Sequence, residues 1–492
     1  MNFVFISPRL TKKKNDLFGS GIPYWPLEIL YLASWLEEKN NYINCDIIDL
    51  FSENINKTQI EDEHVFIGED ITLGNFNKKI ELADSIFIYC ISLMALADIE
   101  KIIKYIKNKF DKKKIVLIEN TQAVTAFSLK HESRKLLNAG ANYIILGELY
   151  DNWNEIQNYI LSPKKNIKPK NIIVNIGDNG ERINQKQFNF CRPNWKKIKY
   201  YNYWKYPNSH GPKIKKYIPI LTSRGCPYGC DFCVSPEITG RNWNALEPEK
   251  VVNQIEFLKK EYHVINFFVE DLNPTVQFKR WEIICDVLIK KNVNINFYFV
   301  SGTKLETIKI NQLTKFSNAG CKYISFSPES GSRNLMRVIG KKFNYNHGLE
   351  LVKSCKNKKI RTQACFVVGH PQEKFKDFLL SLKYMIKLTF FGLDEIAVFI
   401  ISPFSGSKLS RLIAKNKTNE IFSFSPSFRK GYAKYSIYRF TMVFFFLLIK
   451  LFFKPKFFID LILIFFNRKE PYIKIHNLIT ILNTYRSKKK LF

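Results

Sequence analysis

Cysteine is sparse in this sequence, with ten in 492 residues, seven of them scattered singly at Cys45, Cys90, Cys191, Cys285, Cys321, Cys355 and Cys365. That density excludes a secreted disulfide framework and suits small buried hydrophobes in a reducing cytoplasm. The opening MNFVFISPRL lacks the basic stretch and long apolar core of a signal peptide. Acidic residues are few, 44 against 76 lysines and arginines, for a net charge of +32. Such an excess suits nucleic acid, an anionic membrane face or an acidic substrate. Lysine, asparagine and isoleucine recur along the whole chain, however, so the basicity reads as compositional drift and nucleic acid is not expected as a partner. Twenty-one glycines and 19 prolines rule out collagen, and a 46% hydrophobic share with 15% aromatic residues rules out disorder.

A long apolar run is also missing. Phe440 to Phe453 reads FTMVFFFLLIKLFF and Phe457 to Phe466 reads FFIDLILIFF, interrupted by Lys450 and Asp460 and separated by Lys454, Pro455 and Lys456. Neither reaches the roughly 18 to 20 apolar residues that span a bilayer. Two short apolar helices flanked by lysines fit an element in a membrane interface, at the inner face of the cell membrane, or a cap buried against a neighbouring domain.

What is present is α/β periodicity. At roughly 150 residues per domain the length accommodates two to four domains. Residues 1–157 alternate short apolar strands (FVFIS, NCDIIDL, SIFIYCIS, KIVLIE, YIILGE) with amphipathic helical stretches, the pattern of a doubly wound parallel sheet. Residues 158–216 form a connector rich in Lys, Asn, Pro and Tyr, whose Trp195, Tyr200, Tyr201, Tyr203, Trp204 and Tyr206 are suited to dock it on a neighbouring domain. Residues 217–424 hold six further strand-then-helix units, a partial parallel barrel, and 425–492 form the apolar helical segment. Both α/β series should carry their chemistry on the loops after the strands.

The informative loop is LTSRGCPYGCDFCVSP, residues 221–236, which spaces Cys226, Cys230 and Cys233 as C-x3-C-x2-C after the first barrel strand. Three thiolates on one tight loop suit an iron–sulfur cluster and leave one iron free. A zinc site normally takes four ligands, whereas His210 and His263 are isolated in the sequence.

This spacing, with aromatic Phe232 before the third cysteine, resembles the radical S-adenosylmethionine enzymes. The resemblance implies a 4Fe-4S cluster on Cys226, Cys230 and Cys233, cleavage of S-adenosylmethionine to a 5'-deoxyadenosyl radical, and an electron donor such as flavodoxin or ferredoxin. Further segments are similar in order and spacing: FFVEDLNPT with Glu270 and Asp271, AGCKYISFSPESGS with Ser327, Glu329 and Ser330, CFVVGHPQE with Gly369 and Pro371, and ISPFSGSKL. By that similarity these residues, with Phe232, contact S-adenosylmethionine. Taken singly, the Glu-Ser-Gly segment also reads as a helix N-cap on Ser330 or Ser332.

The N-terminal segment resembles the cobalamin-binding domain that precedes the barrel in one subgroup, through GIPYWPLEILYLASWLEEKN, CDIIDL and ILGELYDNW. That implies cobalamin near Ser92, Glu119, Asn120, Gly147 and Glu148. Two features depart from the subgroup: there is no Asp-x-His-x-x-Gly, and Glu119-Asn120 stands where a glycine pair normally lets the backbone approach the corrin. The expected activity is cobalamin-dependent methylation of a carbon in a small or lipid-like molecule. The alternatives are a cobalamin-independent radical rearrangement or oxidation, and a non-catalytic membrane-surface scaffold. The sequence names no catalytic base.

Overall fold

The computed structural model describes residues 1–14, 23–123, 125–183, 191–206, 211–212, 214–414 and 433–453. His210, the expected boundary at 424 and the run Phe457 to Phe466 lie outside the described residues. Strands β1 (Asn2–Ser7), β2 (Leu10–Lys13), β3 (Asn44–Asp49), β4 (Thr58–Glu61), β5 (His64–Ile67), β6 (Ser85–Cys90), β7 (Ile115–Glu119), β8 (Tyr143–Ile145) and β9 (Ile172–Ile173) come first. One sheet runs β3-β1-β6-β7-β8-β9, parallel except for β9, which pairs antiparallel with β8. Strands β6 and β7 are buried at every position, as expected where helices cover both faces of a parallel sheet.

Two features of this domain differ from the sequence expectation. The boundary at 157 falls inside the helix Trp153–Leu161, and the connector returns as β9 to extend the sheet. A second, antiparallel sheet, β2-β5-β4, sits beside the first. Its four-residue strands are too short to show a period in the sequence, and Arg9 anchors it through ion pairs to Asp70 (2.9 Å) and Asp98 (2.5 Å).

The second α/β series contains β10 (Ile218–Ile220), β11 (Ser223–Gly225), β12 (Trp243–Ala245), β13 (Asn266–Val269), β14 (Asn296–Thr303), β15 (Cys321–Glu329), β16 (Arg361–Val368) and β17 (Glu395–Ile400). The all-parallel sheet β10-β13-β14-β15-β16-β17 is the expected six-stranded partial barrel. Strands β11 and β12 form an antiparallel hairpin at its first strand end.

The connector's aromatic residues join the two domains. Trp25 stacks on Tyr203 at 4.1 Å and meets Trp195 and Tyr217 edge-on, while its indole Nε1 donates to the Tyr217 hydroxyl at 3.1 Å. Tyr203 in turn donates to Asp49 (2.8 Å), and the Trp195 backbone N–H donates to the Tyr262 hydroxyl of the barrel (3.0 Å). Such pairs add to the large area each ring buries.

The apolar run near the C-terminus folds as one helix, Ala433–Phe453, which starts seven residues before Phe440. Its stretch Lys434–Phe453 has a mean hydropathy of 1.8 and is long and apolar enough to cross a membrane, which corrects the expectation of a shorter element. One side of it lies along the barrel: Met442, Phe446 and Ile449 are buried, Tyr438 stacks on Phe378 at 4.0 Å, and the Lys450 ammonium donates to the Leu393 carbonyl.

Candidate active site

The cysteine loop starts at Gly225, whose φ of +77° and whose 2.1 Å approach of an added Cβ to the Asn242 carbonyl oxygen exclude a larger residue. All three cysteines are partly exposed free thiols. Burial pushes the Cys226 thiol up to about 11 and the Cys230 thiol up to about 12. Each neighbouring fold element fixes one point of the loop. The Asp231 N–H donates to the Ile339 carbonyl (3.1 Å) and its carbonyl accepts from the Leu409 N–H (2.9 Å), while its carboxylate meets His370 Nε2 at 2.9 Å. Cys233 accepts from the Ser235 N–H at 3.4 Å, on the first turn of the helix Ser235–Thr239.

The donor set fits a cluster. Among the described residues no three His, Cys, Asp or Glu side chains gather around a single-ion position. A cube with one ligand per iron needs no such convergence, and three free cysteines supply thiolates for three of its four irons.

Around the loop the structure separates the expected contact residues into two groups. Glu270, Ser327, Glu329 and Gly369 lie at or just past strand ends of the barrel, and partly buried Phe232 packs on Leu335, Met336 and Ile339. Glu329 adopts φ +57°, unusual for a residue with a side chain, where β15 slips register against β16. Its carboxylate meets the partly buried Lys341 ammonium at 2.7 Å. Asp271 and Ser330 are drawn elsewhere. The Asp271 carboxylate accepts from the Thr222 N–H (2.7 Å), the Thr222 hydroxyl (2.6 Å) and the Ser223 hydroxyl (2.5 Å), fastening β13 to the strand that leads into the cysteines. Ser330 pairs with Ser381 at 2.9 Å, and Ser332, not Ser330, caps the helix Arg333–Ile339. Pro371 is exposed in the turn after β16.

The α/β domain faces the loop with its own strand ends. Ser92 accepts from the Met94 N–H, capping the turn after β6. Asn120 donates to the Ile91 carbonyl (2.7 Å) and accepts from the Gln122 N–H (2.9 Å). Glu119 accepts from the Leu129 N–H (2.9 Å), the Gly147 N–H (2.8 Å) and the Arg182 guanidinium (2.8 and 3.0 Å). The Glu119 side chain therefore folds back onto the connector. Glu148 and Glu28 flank the buried Arg224 guanidinium at 3.8 and 3.5 Å, and Arg224 also donates to Tyr150 at 2.9 Å. Burial, opposed by Arg224, raises the Glu148 carboxyl to about 7 and raises Glu28 in the same direction.

Sequence reasoning missed Lys341, Arg224, Arg182 and the Asp231–His370 pair. Two of them stood beside recognised motifs: Arg224 is two residues before the first cysteine and His370 follows Gly369. Their partners come from other domains or strands, so no local pattern marks them.

The loop after β7 carries the polar groups that a cobalamin in the α/β domain would meet. Glu119 and Asn120 spend their polar groups internally, but the buried Gln122 side-chain oxygen has no hydrogen-bond partner among the described residues. An amide-fringed ligand would satisfy it, so the loop fits such a group through Gln122, with Gly147 and Glu148 beside it.

The Radical SAM superfamily matches residues 220–385. An uncharacterized methyltransferase of Pyrococcus horikoshii is 25% identical over 190 residues, 39% of this chain and 40% of that protein. The bacteriochlorophyllide d C-8(2)-methyltransferase of Chlorobaculum tepidum is 26% identical over 216 residues, 39% of this chain and 44% of its own. The chain thus spans less than half the length of these relatives. Among solved structures, the radical S-adenosylmethionine methyltransferase TsrM from Kitasatospora setae, with cobalamin and a 4Fe-4S cluster bound, has a TM-score of 0.62 at 13% identity, covering 84% of this chain and 78% of that one. The cobalamin-dependent S-adenosylmethionine radical enzyme OxsB gives 0.58 at 15%, covering 85% and 61%. These likenesses extend the shared fold across both α/β domains, and the three-cysteine loop lies inside residues 220–385, the stretch that matches the Radical SAM superfamily.

Proposed function

We propose that this enzyme transfers a methyl group to a carbon of a small or lipid-like molecule, using S-adenosylmethionine and cobalamin. The observation that carries the reading is the free three-thiol loop at the barrel's strand ends, facing the strand ends of an α/β domain. When bound, a 4Fe-4S cluster supplies the electron that splits the sulfonium into methionine and a 5'-deoxyadenosyl radical, and cobalamin supplies a carrier for a methyl group. Cys226, Cys230 and Cys233 would hold the cluster as thiolates. In this reading Glu270 would take the ammonium of the methionine moiety, Lys341 its carboxylate, and the Gly369 turn the adenine. The Arg224 cluster and the aromatic connector exclude water from the junction, which a primary carbon radical requires.

Gln122, Gly147 and Glu148 are the residues proposed to hold cobalamin. The cobalamin-independent rearrangement or oxidation stays as a second reading because of one observation: Glu119 occupies the glycine position and is tied to Arg182. Anaerobic reconstitution with and without cobalamin, followed by analysis of the nucleoside products, separates the two. Methylation requires S-adenosylhomocysteine and 5'-deoxyadenosine together, with retained corrin absorbance. Deoxyadenosine alone under both conditions overturns the methyl-transfer reading. All ten cysteines are free thiols in the structure, which supports placement in a reducing cytoplasm.

A further inference from the structure

The helix Ala433–Phe453 is apolar on two opposite sides. The side carrying Met442, Phe446 and Ile449 is occupied by the barrel. The other carries Ile437, Phe440, Phe444, Leu447 and Leu451, exposed at 65, 52, 61, 38 and 38%. Their spacing of three and four residues sets them in one stripe about 21 Å long at 1.5 Å per residue. Neighbouring rings extend it: Phe375 and Phe390 of the helix Phe375–Phe391 are exposed where they meet Tyr438 and Phe453. A stripe of this kind on a soluble surface marks a contact.

Charge decides what it contacts. Residues 401–492 hold 18 lysines and arginines and three acidic residues, a net +15 within the chain's +32. Lys434 stands at one end of the stripe, and Lys454 and Lys456 follow the helix in sequence. A second copy of the chain would bring the same positive charge to the contact, whereas an anionic lipid surface would complement it.

We propose that this stripe docks the enzyme laterally on an anionic membrane surface, with the helix lying in the headgroup region and the barrel remaining in water. Spanning is not required and is opposed by the docked side: Met442 is fully buried and the buried Lys450 ammonium is bonded to the Leu393 carbonyl, so crossing the bilayer would first strip the helix from the barrel. The helix is therefore both the barrel cap and the membrane element. Binding combines apolar burial with attraction to lipid charge, so salt weakens it without abolishing it.

The test uses the full-length protein with vesicles of phosphatidylcholine alone or mixed with phosphatidylglycerol. Wild type should sediment with the mixed vesicles and less with the neutral ones. The combined substitutions Phe440→Ser, Phe444→Ser and Leu447→Ser should lower the partition coefficient about a hundredfold, from roughly 1 kcal/mol of lost apolar burial at each position. The thermal midpoint should fall less than for Met442→Ala and the iron content should hold, because these side chains are 38 to 61% exposed whereas Met442 is buried. Equal partitioning of the triple variant, indifference to lipid charge, or a wild-type dimer that the triple variant converts to monomer without lipid binding would each overturn the proposal. Iron content and deoxyadenosine formation report on the radical chemistry separately.

Discussion

The strand ends of the two α/β domains face one another, yet they treat polar groups in opposite ways. At the α/β sheet, Ser92 and Asn120 are satisfied by nearby backbone, and Glu119 by backbone and Arg182. At the barrel, three thiols stay free on a loop fixed from behind by Asp231, His370 and the end of the helix Arg333–Ile339. The barrel invests its bonds in holding a loop whose ligand atoms are left available. The α/β domain invests them in closing its own end, with the Gln122 side-chain oxygen among the buried acceptors that lack a partner in the described residues. Rigid support behind open ligands is what preorganised chemistry needs, whereas a self-satisfied end is what a junction needs.

The two strand ends differ most in how they tolerate substitution at the cysteines. Cys226→Ala, Cys230→Ala and Cys233→Ala should each abolish activity and the bound iron, about four per chain in the wild type. Cys285→Ala and Cys355→Ala should do neither, as anaerobic iron analysis would show. Next comes Arg224→Ala, which leaves Glu28 and Glu148 buried without their cation. Urea unfolding should register a loss of about 3 to 5 kcal/mol at pH 8. The loss should shrink at pH 5, since burial already favours the protonated form of both carboxyls.

Glu119→Gly should cost less, about 2 kcal/mol from the lost charged hydrogen bonds. It should also increase corrin retention if the missing glycine limits cofactor approach, which absorbance after gel filtration would measure. The smallest effect concerns pH alone. Glu148 is raised from 4.5 to about 7, so its contribution to stability is complete below about pH 4.5 and is lost as pH rises to about 7. Glu237, lowered from 4.5 to about 2 by its hydrogen bond with His131 and the charge of Arg182, behaves oppositely, contributing above pH 4.5 and losing that contribution as pH falls toward 2. Glu148→Gln should flatten the upper slope of the stability profile and leave the lower one, as urea midpoints across pH would reveal.

Both parallel sheets were legible in the sequence because each strand is a short apolar run bounded by polar turns, and the cysteine loop was legible because its ligands are contiguous. The β2-β5-β4 sheet was not, since its strands of four residues carry no period. Nor were Arg182 and Lys341, which look like ordinary surface cations until the fold brings Glu119 and Glu329 to them. Asp271 shows the converse. It lies in a recognisable segment, yet its side chain holds Thr222 and Ser223 in place. The run from Phe440 was read as too short because Ala433 to Arg439 mixes polar and apolar residues, and only packing against the barrel reveals that it belongs to the same helix.

The aromatic buckle around Trp25 has a consequence for synthesis of the chain. Trp25 belongs to the first domain, but its partners Trp195, Tyr203 and Tyr217 are translated some 170 to 190 residues later. Until they emerge from the ribosome, the first domain carries an uncovered indole, as well as Tyr31, whose hydroxyl partner Leu221 is also still to come. The nascent domain thus passes through an interval of exposed apolar surface that ends only when the barrel begins to form, the interval in which multidomain chains aggregate or engage chaperones.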